Sequence, residues 1–320
     1  MPYTIRPFTP ADYEPVAQIV TTVAGHLTTA EELRWEDEQR SPKCKYQCWV
    51  AEAGGRVVGV ATYSQYEGMY HPRKFDVDVM VQPEYRRQGV GSSLYETVVA
   101  ALRPYDPISF LCSAREHWAE SIRFIERRGY KERMRNWESH LDLTTADLSA
   151  FAPVVEQVAA AGYVIRSYAE RQAAGEPDLD RRLHLLGQII RLDIPSPEPR
   201  TDVSFEEWAK RLHSNPMFSP ELYMIADKDG EFAGLSNMWN TQEPGLIRTG
   251  MTGVLREHRG TGLAKALKVY AIEASRAAGY QRTTTWNAST NVKMLAINEA
   301  MGFVRQPAWV SYALELQPEA

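Results

Sequence analysis

Cysteine is scarce in this chain of 320 residues, which has three: Cys44, Cys48 and Cys112. A small, odd number of cysteines argues against a disulfide framework and against an oxidising compartment. The spacing of Cys44 and Cys48 would suit a pair of metal ligands, but a zinc site needs a second pair, and the histidines do not provide one at a suitable spacing. We therefore expect packed thiols and no metal.

Long apolar runs are also missing. No stretch reaches the ~18 uncharged apolar residues that a membrane span requires. The first residues, MPYTIRPFTPADYE, contain acids and prolines where a signal peptide has an apolar core. We therefore expect no membrane partner and a cytoplasmic protein.

An excess of positive charge is lacking as well. The sequence has 36 Lys plus Arg against 41 Asp plus Glu, a formal net charge of −5. Broad nucleic-acid binding depends on the neutralisation of many phosphates, so no nucleic-acid partner is expected. The sequence does have 44% hydrophobic residues, and its length suits about two domains of ordinary size.

One long repeat runs through the sequence. The segment Arg86–Gly91 resembles Arg259–Ala264, at an offset of 259 − 86 = 173. Gly129 and Gly302, each followed by an aromatic residue, are separated by 302 − 129 = 173. A period of this length indicates a duplicated domain and not a solenoid of small units.

Each half has the same coarse pattern: strand, helices, three antiparallel strands, helix, strand, helix, strand. This order predicts an α+β fold in which each half has a mixed, mostly antiparallel sheet flanked by helices. We place the two domains at residues 1–145 and 146–320. The second domain includes a connecting helix at about 148–161, which Gly162 ends.

In each half a glycine-rich loop joins a strand to a helix. In the first half the alternating strand Phe75–Val81 leads to Arg86–Gly91, and apolar residues then recur at helical spacing. Glycines at such a junction allow backbone N–H groups to converge on an anion, and the helix dipole adds partial positive charge. The loop lacks the third glycine of a dinucleotide-binding fingerprint and the Gly-Lys-Ser/Thr of a Walker motif. It predicts a phosphate site of another kind in each half.

These loops resemble the cofactor loop of the GNAT N-acetyltransferase family, which is written Arg/Gln-x-x-Gly-x-Gly/Ala. The matching residues are Arg86, Gly89 and Gly91, then Arg259, Gly262 and Ala264. The segment from Asn291 to Phe303 is similar to the late helix motif of the family, in the form found in mycothiol synthases, which are tandem members. The resemblance covers nearly the whole chain and implies two tandem GNAT domains.

The family resemblance implies that the loops hold the pyrophosphate of acetyl-CoA, the co-substrate. The residues assigned to acetyl-CoA on this basis are Val81, Arg86, Arg87, Gln88, Gly89, Val90, Gly91 and Ser92 in the first half, and Val254, Arg259, Gly260, Thr261, Gly262, Leu263, Ala264 and Asn291 in the second. The acetyl group would pass to a primary amine of a small-molecule or peptide acceptor, by direct attack in a ternary complex. The duplicated layout is compatible with a monomer.

Three residues are candidates for the chemistry. Asp76 and Asp78 share one face of the first-half strand, where they could accept a proton from the amine or anchor a cationic acceptor, although a solvated strand face explains them equally well. The family places a proton-donating Tyr four residues before the late glycine, and those positions are Ile125 and Asn298. An asparagine amide can donate a hydrogen bond to a thiolate without protonating it, which favours the second domain as the catalyst.

The missing tyrosine leaves a second hypothesis open. In this alternative the chain is a duplicated acetyl-CoA-binding sensor or scaffold, in which one or both domains do not catalyse. Arg123, Arg127 and Arg128 form part of a basic stretch that is interspersed with glutamates, and we interpret that stretch as a solvated helix face.

Overall fold

The computed structural model describes residues 2–316. Met1 and residues 317–320, which the predicted domains include, lie outside the described residues. The helices and strands are, in chain order, β1 (Thr4–Pro7), α1 (Tyr13–Ala24), α2 (Ala30–Glu38), β2 (Gln47–Ala53), β3 (Arg56–Ser64), β4 (Lys74–Val81), α3 (Val90–Leu102), β5 (Ser109–Arg115), α4 (Ala119–Glu126), β6 (Lys131–Asp142), α5 (Ala152–Ala160), β7 (Tyr163–Ser167), α6 (Tyr168–Ala173), α7 (Leu179–Leu192), α8 (Phe205–Ser214), β8 (Phe218–Lys228), β9 (Glu231–Asn240), β10 (Leu246–Val254), α9 (Leu263–Ala277), β11 (Arg282–Ala288), α10 (Val292–Ala300), β12 (Val304–Arg305) and β13 (Trp309–Glu315).

The elements form two compact units. The first unit contains the described residues up to Met134, the segment Pro197–Asp202 and the described residues from Trp309 onward. The second unit contains Arg135–Ser196 and Val203–Ala308. The boundary at 145/146 stays a prediction about where the duplicated sequences join, since the compact units are built from segments that are not contiguous in the chain.

Each unit has a mixed, mostly antiparallel sheet, which confirms the predicted fold class. The strand order in the first unit is β1-β2-β3-β4-β5-β13, and in the second it is β6-β11-β10-β9-β8-β7, with β12 beside β6. The parallel pairs are β4 with β5 and β10 with β11. Helices α3 and α9 each connect the two strands of one of these parallel pairs, and they begin 263 − 90 = 173 residues apart.

The last strand of each sequence half completes the sheet of the other unit. In the first unit β13 pairs with β5, from Trp309 opposite Arg115 to Glu315 opposite Ser109. In the second unit β6 pairs with β11, from Asn136 opposite Ala288 to Asp142 opposite Arg282. The two pairings have the same register, because Trp309 and Asn136 are 309 − 136 = 173 residues apart and their partners Ala288 and Arg115 are 288 − 115 = 173 residues apart. This exchange makes the compact units non-contiguous.

Both faces of each sheet carry a hydrophobic core. In β2, Trp49 and Ala51 pack in a cluster with residues of α3, whereas Cys48 and Val50 pack in a cluster with residues of α1. The alternation follows from the two-residue period of a strand. The second unit is built in the same way, with α9 on one core and α7 on the other.

Val310 tests the contribution of the exchanged strand to the first unit. This side chain is 0% exposed and belongs to the core that contains Leu94 and Phe110. We expect Val310→Ala to lower the free energy of unfolding by roughly 1.5–3 kcal/mol, because it removes buried methyl groups and leaves a cavity. Urea unfolding measures this change. Val304→Ala is the matched control, since Val304 is 64% exposed and its truncation should cost less than ~0.5 kcal/mol. Equal losses of unfolding free energy in the two variants would contradict the placement of β13 in the core of the first unit.

Candidate functional site

The site in the first unit begins where two parallel strands separate. Pairing of β4 with β5 runs from Lys74 opposite Ser109 to Asp76 opposite Leu111 and ends there. Val77–Val81 therefore continue without a partner on the β5 side, although they still pair with β3. A gap between parallel strands leaves backbone N–H and C=O groups available to a ligand.

The glycine-rich loop lies at the wide end of this gap. The backbone at Gly89 is left-handed, with a φ of 88°, and Gly89 is the N-cap of α3. A Cβ at Gly89 would lie 3.2 Å from the Tyr3 hydroxyl, so the close approach also requires glycine. The Arg86 Nε donates a hydrogen bond to the Val81 carbonyl oxygen at 3.1 Å, which fastens the loop to the end of β4. Gly91 and Ser92, in the first turn of α3, line this gap, and first-turn N–H groups have no partner within their own helix, as an anion site requires.

A pocket of about 460 Å³ occupies this gap. Its walls come from β4, the loop, the first turns of α3, β5, α4 and the exchanged strand β13. Of the first-half residues predicted to contact acetyl-CoA, those that line the pocket are Val81, Arg86, Arg87, Gly89, Gly91 and Ser92. The other two have different surroundings: Gln88 is exposed and donates to the Glu84 carbonyl oxygen, and Val90 is buried in the core.

Positive charge dominates the pocket wall. Its charged residues are Arg86, Arg87, Arg123, Arg127 and Arg128 against Asp78 and Glu120. Arg123 and Arg127 are exposed, as expected for a solvated helix face, and they also line the pocket together with the half-buried Arg128. This arrangement gives the pocket five guanidinium groups and two carboxylates.

Arg128, which follows α4, contacts the first turn of α3. Its Nη2 donates to the Ser92 hydroxyl at 3.0 Å, and its guanidinium carbon lies 3.5 Å from the centre of the Phe124 ring. Stacking on an aromatic ring orients the planar guanidinium and leaves other N–H donors for a ligand. The Arg128 side chain is thereby held in place before any ligand binds.

Asp78 also lines the pocket, and Asp76 lies two residues before it on the same face of β4. Burial raises the pKa of Asp78 to about 6. Burial, together with the charges of Asp78 and Glu198, raises the pKa of Asp76 to about 7. Both groups thus titrate close to neutral pH, which is unusual for carboxylates and is common at functional sites.

Two tyrosines that the sequence analysis missed complete the inner wall. The Tyr130 hydroxyl lies 3.3 Å from the Tyr95 hydroxyl, and both residues line the pocket. Cys112 of β5 lies in the same wall, where burial raises the pKa of its thiol. The exchanged strand adds Trp309, whose ring makes an edge contact with Trp118 at 5.3 Å.

In the second unit the loop has the same backbone but different neighbours. Parallel pairing of β10 with β11 ends at Arg248 opposite Thr284, Gly262 has a φ of 90°, and the Arg259 Nε donates to the Val254 carbonyl oxygen at 3.1 Å. These features match the first unit one for one. The differences begin with the groups that surround the loop.

An internal carboxylate pairs with the arginines of the second loop. Asp193, directly after α7, accepts hydrogen bonds from the guanidinium groups of Arg256 and Arg259. These bonds hold the pKa of Asp193 well below its usual range. One carboxylate thus offsets one of the two positive charges that a phosphate would otherwise meet at this loop.

Helix α5 packs on the same loop. The Val154 Cγ2 lies 2.3 Å from the position that a Cβ would take on Gly262, so the valine methyl is in direct contact with the glycine backbone. The Thr261 hydroxyl donates to the His258 carbonyl oxygen and accepts a hydrogen bond from the Leu263 N–H at 3.4 Å. The residues Gly262, Thr261 and Leu263 of this loop thus contact other parts of the protein. The predicted acetyl-CoA residues of the same loop also include Gly260 and Ala264.

Asn291 and Asn298 of the second unit have structural contacts. The Asn291 side chain caps α10 by accepting a hydrogen bond from the Met294 N–H at 3.4 Å. Asn298 is 1% exposed, and its Nδ2 donates to the Asn287 Oδ1 at 2.7 Å. Its own Oδ1 has no hydrogen-bond partner within residues 2–316.

The cationic wall of the first unit has no counterpart on α10. At the offset of 173, Arg123, Arg127 and Arg128 correspond to Ala296, Ala300 and Met301. In the same alignment Tyr95 and Tyr130 correspond to Lys268 and Phe303. Lys268 is 1% exposed and lies 5.0 Å from the centre of the Phe303 ring, and burial lowers its pKa to about 8. The two units therefore share a backbone but not a binding surface.

The described residues, 2–316, contain neither a membrane-spanning helix nor a metal-binding cluster. None of the helices in that range combines the length and apolar character needed to cross a bilayer. The same range contains no cluster of three or more His, Cys, Asp or Glu side chains arranged to hold a metal ion.

Comparison with known proteins gives the family. The model of the acetyltransferase (GNAT) family matches twice, at residues 18–130 and 186–303. The chain is 23% identical over 243 residues to the mycothiol acetyltransferase of Arthrobacter sp. (strain FB24), which covers 74% of this chain and 69% of the relative. It is 25% identical over 279 residues to the mycothiol acetyltransferase of Frankia casuarinae, which covers 82% of this chain and 73% of the relative.

Solved structures show the same fold over the full length. A tandem GNAT protein from the clavulanic acid biosynthesis pathway has a TM-score of 0.74 at 20% identity, with 100% of both chains covered. A GCN5-related N-acetyltransferase from Sphaerobacter thermophilus has a TM-score of 0.73 at 18% identity, with 99% of this chain and 97% of that chain covered. Together with the two matches to the family model, these likenesses confirm the resemblance seen in the sequence. The chain belongs to the GNAT acetyltransferase family and contains its fold in two tandem copies.

Proposed function

We propose that the chain transfers an acetyl group from acetyl-CoA to a primary amine, and that the pocket of the first unit is where this occurs. The observation that carries the proposal is the position of this pocket, between the separated ends of β4 and β5, with a glycine-rich loop and five arginines in its wall. Family membership supports the reaction class. The assignment to the first unit replaces the preference for the second that the sequence suggested.

The residues of this pocket fit the phosphates of coenzyme A. Arg86, Arg87 and the first-turn N–H groups of α3 approach from the loop, and Arg127 and Arg128 approach from the α4 side. Guanidinium groups bind phosphate through paired N–H donors, and a helix N-terminus adds partial positive charge. Five positive charges against two negative ones suit a ligand that carries several negative charges.

The free edge of β4 would position the acetyl end. Val77–Val81 have no partner on the β5 side, so their backbone groups can pair with an extended chain in the way that an added strand does. A backbone N–H on this edge could then donate a hydrogen bond to the thioester oxygen, where negative charge develops during attack.

Asp78 is the proposed base. Its carboxylate lies in the pocket wall, and a pKa of about 6 keeps it mainly ionised at neutral pH while making it a better proton acceptor than an ordinary carboxylate. It would accept the proton that the acceptor amine loses. Asp76, one pleat away, would help to attract a cationic amine into the pocket.

The second unit, in this proposal, holds no acetyl-CoA. Asp193 pairs with both arginines of its loop, and Val154 covers Gly262. The sensor-or-scaffold alternative thus retains support for this unit. We propose one acetyl-CoA per chain.

The acceptor is proposed only as a class. Two relatives are named mycothiol acetyltransferases, but identities of 23% and 25% do not transfer their acceptor to this chain. A small-molecule or peptide amine is the proposed partner. A monomeric state and a cytoplasmic location stay predictions.

The first test of this function is acceptor-dependent release of CoA. Acetyl-CoA is incubated with the protein and a panel of amino sugars, polyamines, cysteinyl compounds and peptides, and free CoA is measured by chromatography, so that the three free cysteines do not contribute to the signal. We expect release that depends on at least one amine. Binding of CoA without such release from any amine would favour the sensor alternative.

A matched pair of arginine variants tests which unit binds CoA. Arg86→Gln and Arg259→Gln remove equivalent loop-to-strand hydrogen bonds, and Arg259→Gln also removes the ion pair with Asp193. We expect Arg86→Gln to weaken CoA binding by about 10- to 100-fold, the effect of losing a charged hydrogen bond. In calorimetry, Arg259→Gln should leave the affinity for CoA unchanged, with one CoA bound per chain. Two sites per chain, or weaker binding only in Arg259→Gln, would overturn the assignment of the CoA site to the first unit.

The raised pKa of Asp78 predicts a pH dependence. Acetyl transfer should increase as pH rises through about 6, where the Asp78 carboxyl ionises, and Asp78→Asn should lower the rate by roughly 10²–10⁴-fold. The folded state holds the Asp78 proton more tightly than the unfolded state, whose pKa is near 3.8. The free energy of unfolding should therefore decrease as pH rises from about 4 to about 6, and this loss should be smaller in Asp78→Asn.

Glu96→Gln is the control for these measurements, because Glu96 is an exposed carboxylate on the same unit. It should change neither the pH–rate profile nor the pH dependence of urea midpoints. A rate profile that is flat between pH 5 and 8 in the unsubstituted protein would contradict the role of Asp78.

A further inference from the structure

The departing sulfur needs a partner that the late helix motif does not supply. Attack by an amine breaks the carbon–sulfur bond of the thioester, and the electron pair of that bond stays on the sulfur. At Ile125, the position of the motif in the first unit, the side chain has no hydrogen-bond donor. Ile125 nevertheless lines the pocket, together with two phenols that do have donors.

The two phenols come from helix α3 and from the segment that follows α4. Tyr95 lies on α3, and Tyr130 follows Gly129, shortly after α4 ends. Their hydroxyl oxygens are 3.3 Å apart and their ring centres are 6.4 Å apart, in an edge arrangement. The pair therefore bridges the inner side of the pocket, where Asp78, Cys112 and Ile125 also lie.

Packing fixes the positions of both rings. Tyr130 is 4% exposed and belongs to the core of the first unit. Tyr95 makes an edge contact with Phe124 at 6.1 Å, and the Arg128 guanidinium carbon lies 4.7 Å from the Tyr95 ring centre. Two hydroxyls that share one hydrogen bond keep a further O–H and lone pairs, and both residues line the pocket.

We infer that the Tyr130 hydroxyl, oriented by the Tyr95 hydroxyl, donates a hydrogen bond to the sulfur of coenzyme A as the thioester is cleaved. This inference rests on the proposed acetyl transfer in the first unit. It assigns a catalytic residue at a position five residues after the one where the motif would place a donor.

The step is balanced without proton transfer from the phenol. The amine nitrogen forms a bond to the carbonyl carbon, the carbon–sulfur bond breaks, and the sulfur leaves as a thiolate that Tyr130 stabilises. The proton that the amine loses goes to Asp78. Burial raises the pKa of Tyr130 and of Tyr95, and a thiol has a pKa near ~8.5, so the phenol stays protonated and acts as a hydrogen-bond donor.

The thiol pKa of bound coenzyme A tests this contact without any acceptor. Ultraviolet absorbance of the thiolate is followed during a pH titration of the CoA complex, for the unsubstituted protein and for Tyr130→Phe, which keeps the ring and removes only the hydroxyl. We expect the thiol pKa to be higher in Tyr130→Phe by about one unit, since the donor stabilises the thiolate. Tyr95→Phe should give a smaller shift in the same direction.

Tyr105→Phe is the matched control. Tyr105 stacks on Phe75 in the core of the same unit, with ring centres 5.8 Å apart, and its loss of a hydroxyl should leave the thiol pKa unchanged. With an acceptor from the amine panel, Tyr130→Phe should lower kcat by about 10- to 100-fold and change KM for acetyl-CoA by less than about twofold, as expected for a donor that acts in the transition state.

The outcomes separate this inference from the proposed function. If coenzyme A does not bind the unsubstituted protein, the proposed function fails, and this inference fails with it. If coenzyme A binds, and the thiol pKa and kcat are the same in the unsubstituted protein and in Tyr130→Phe, the role of Tyr130 is overturned while the proposed function stands. An equal shift in Tyr105→Phe would also overturn it, because the effect would then not come from the pocket.

Discussion

The separation of β4 from β5 after a short parallel pairing is the constraint on which the rest of the first unit depends. Pairing stops at Asp76 and Leu111, and the backbone beyond this point lacks hydrogen-bond partners on one side. A sheet tolerates such a gap only where a ligand or water satisfies the exposed groups. The loop fastened by Arg86 and the phenols of Tyr95 and Tyr130 all line the same gap, and the proposed function uses the loop end for the diphosphate and the phenol end for the thioester.

The duplicated fold contains one loop backbone in two different surroundings. Both loops have a left-handed glycine before the helix and an arginine bonded to the end of the strand. In the first unit five arginines and two carboxylates line the pocket, and one of the carboxylates, Glu120, lies 4.0 Å from Arg87. In the second, Asp193 pairs with Arg259 and Val154 packs against Gly262. The proposed difference in binding therefore rests on the charge and packing around each loop, because the loop backbones match.

The sequence predicted the backbone better than the surroundings. Period-two alternation in β4 and helical spacing after the loop are local signals, and the constant offset of 173 made each half a check on the other. The strand exchange left no such signal, because β6 and β13 have the same pattern whichever partner they pair with. The contacts of Arg128 with Ser92 and of Tyr130 with Tyr95 could not be predicted, because they depend on how the segment after α4 packs against α3. The pairing of Asp193 with Arg259 joins residues that are far apart in the sequence, and no motif links them.

A crystal structure of the protein with coenzyme A bound would test the central claim most directly. The account predicts one ligand per chain, with its diphosphate at the N-terminus of α3 beside Arg86, its extended arm along Val77–Val81 and its sulfur within hydrogen-bond distance of the Tyr130 hydroxyl. Coenzyme A at the N-terminus of α9, with Asp193 displaced from Arg259 and the first pocket empty, would contradict it.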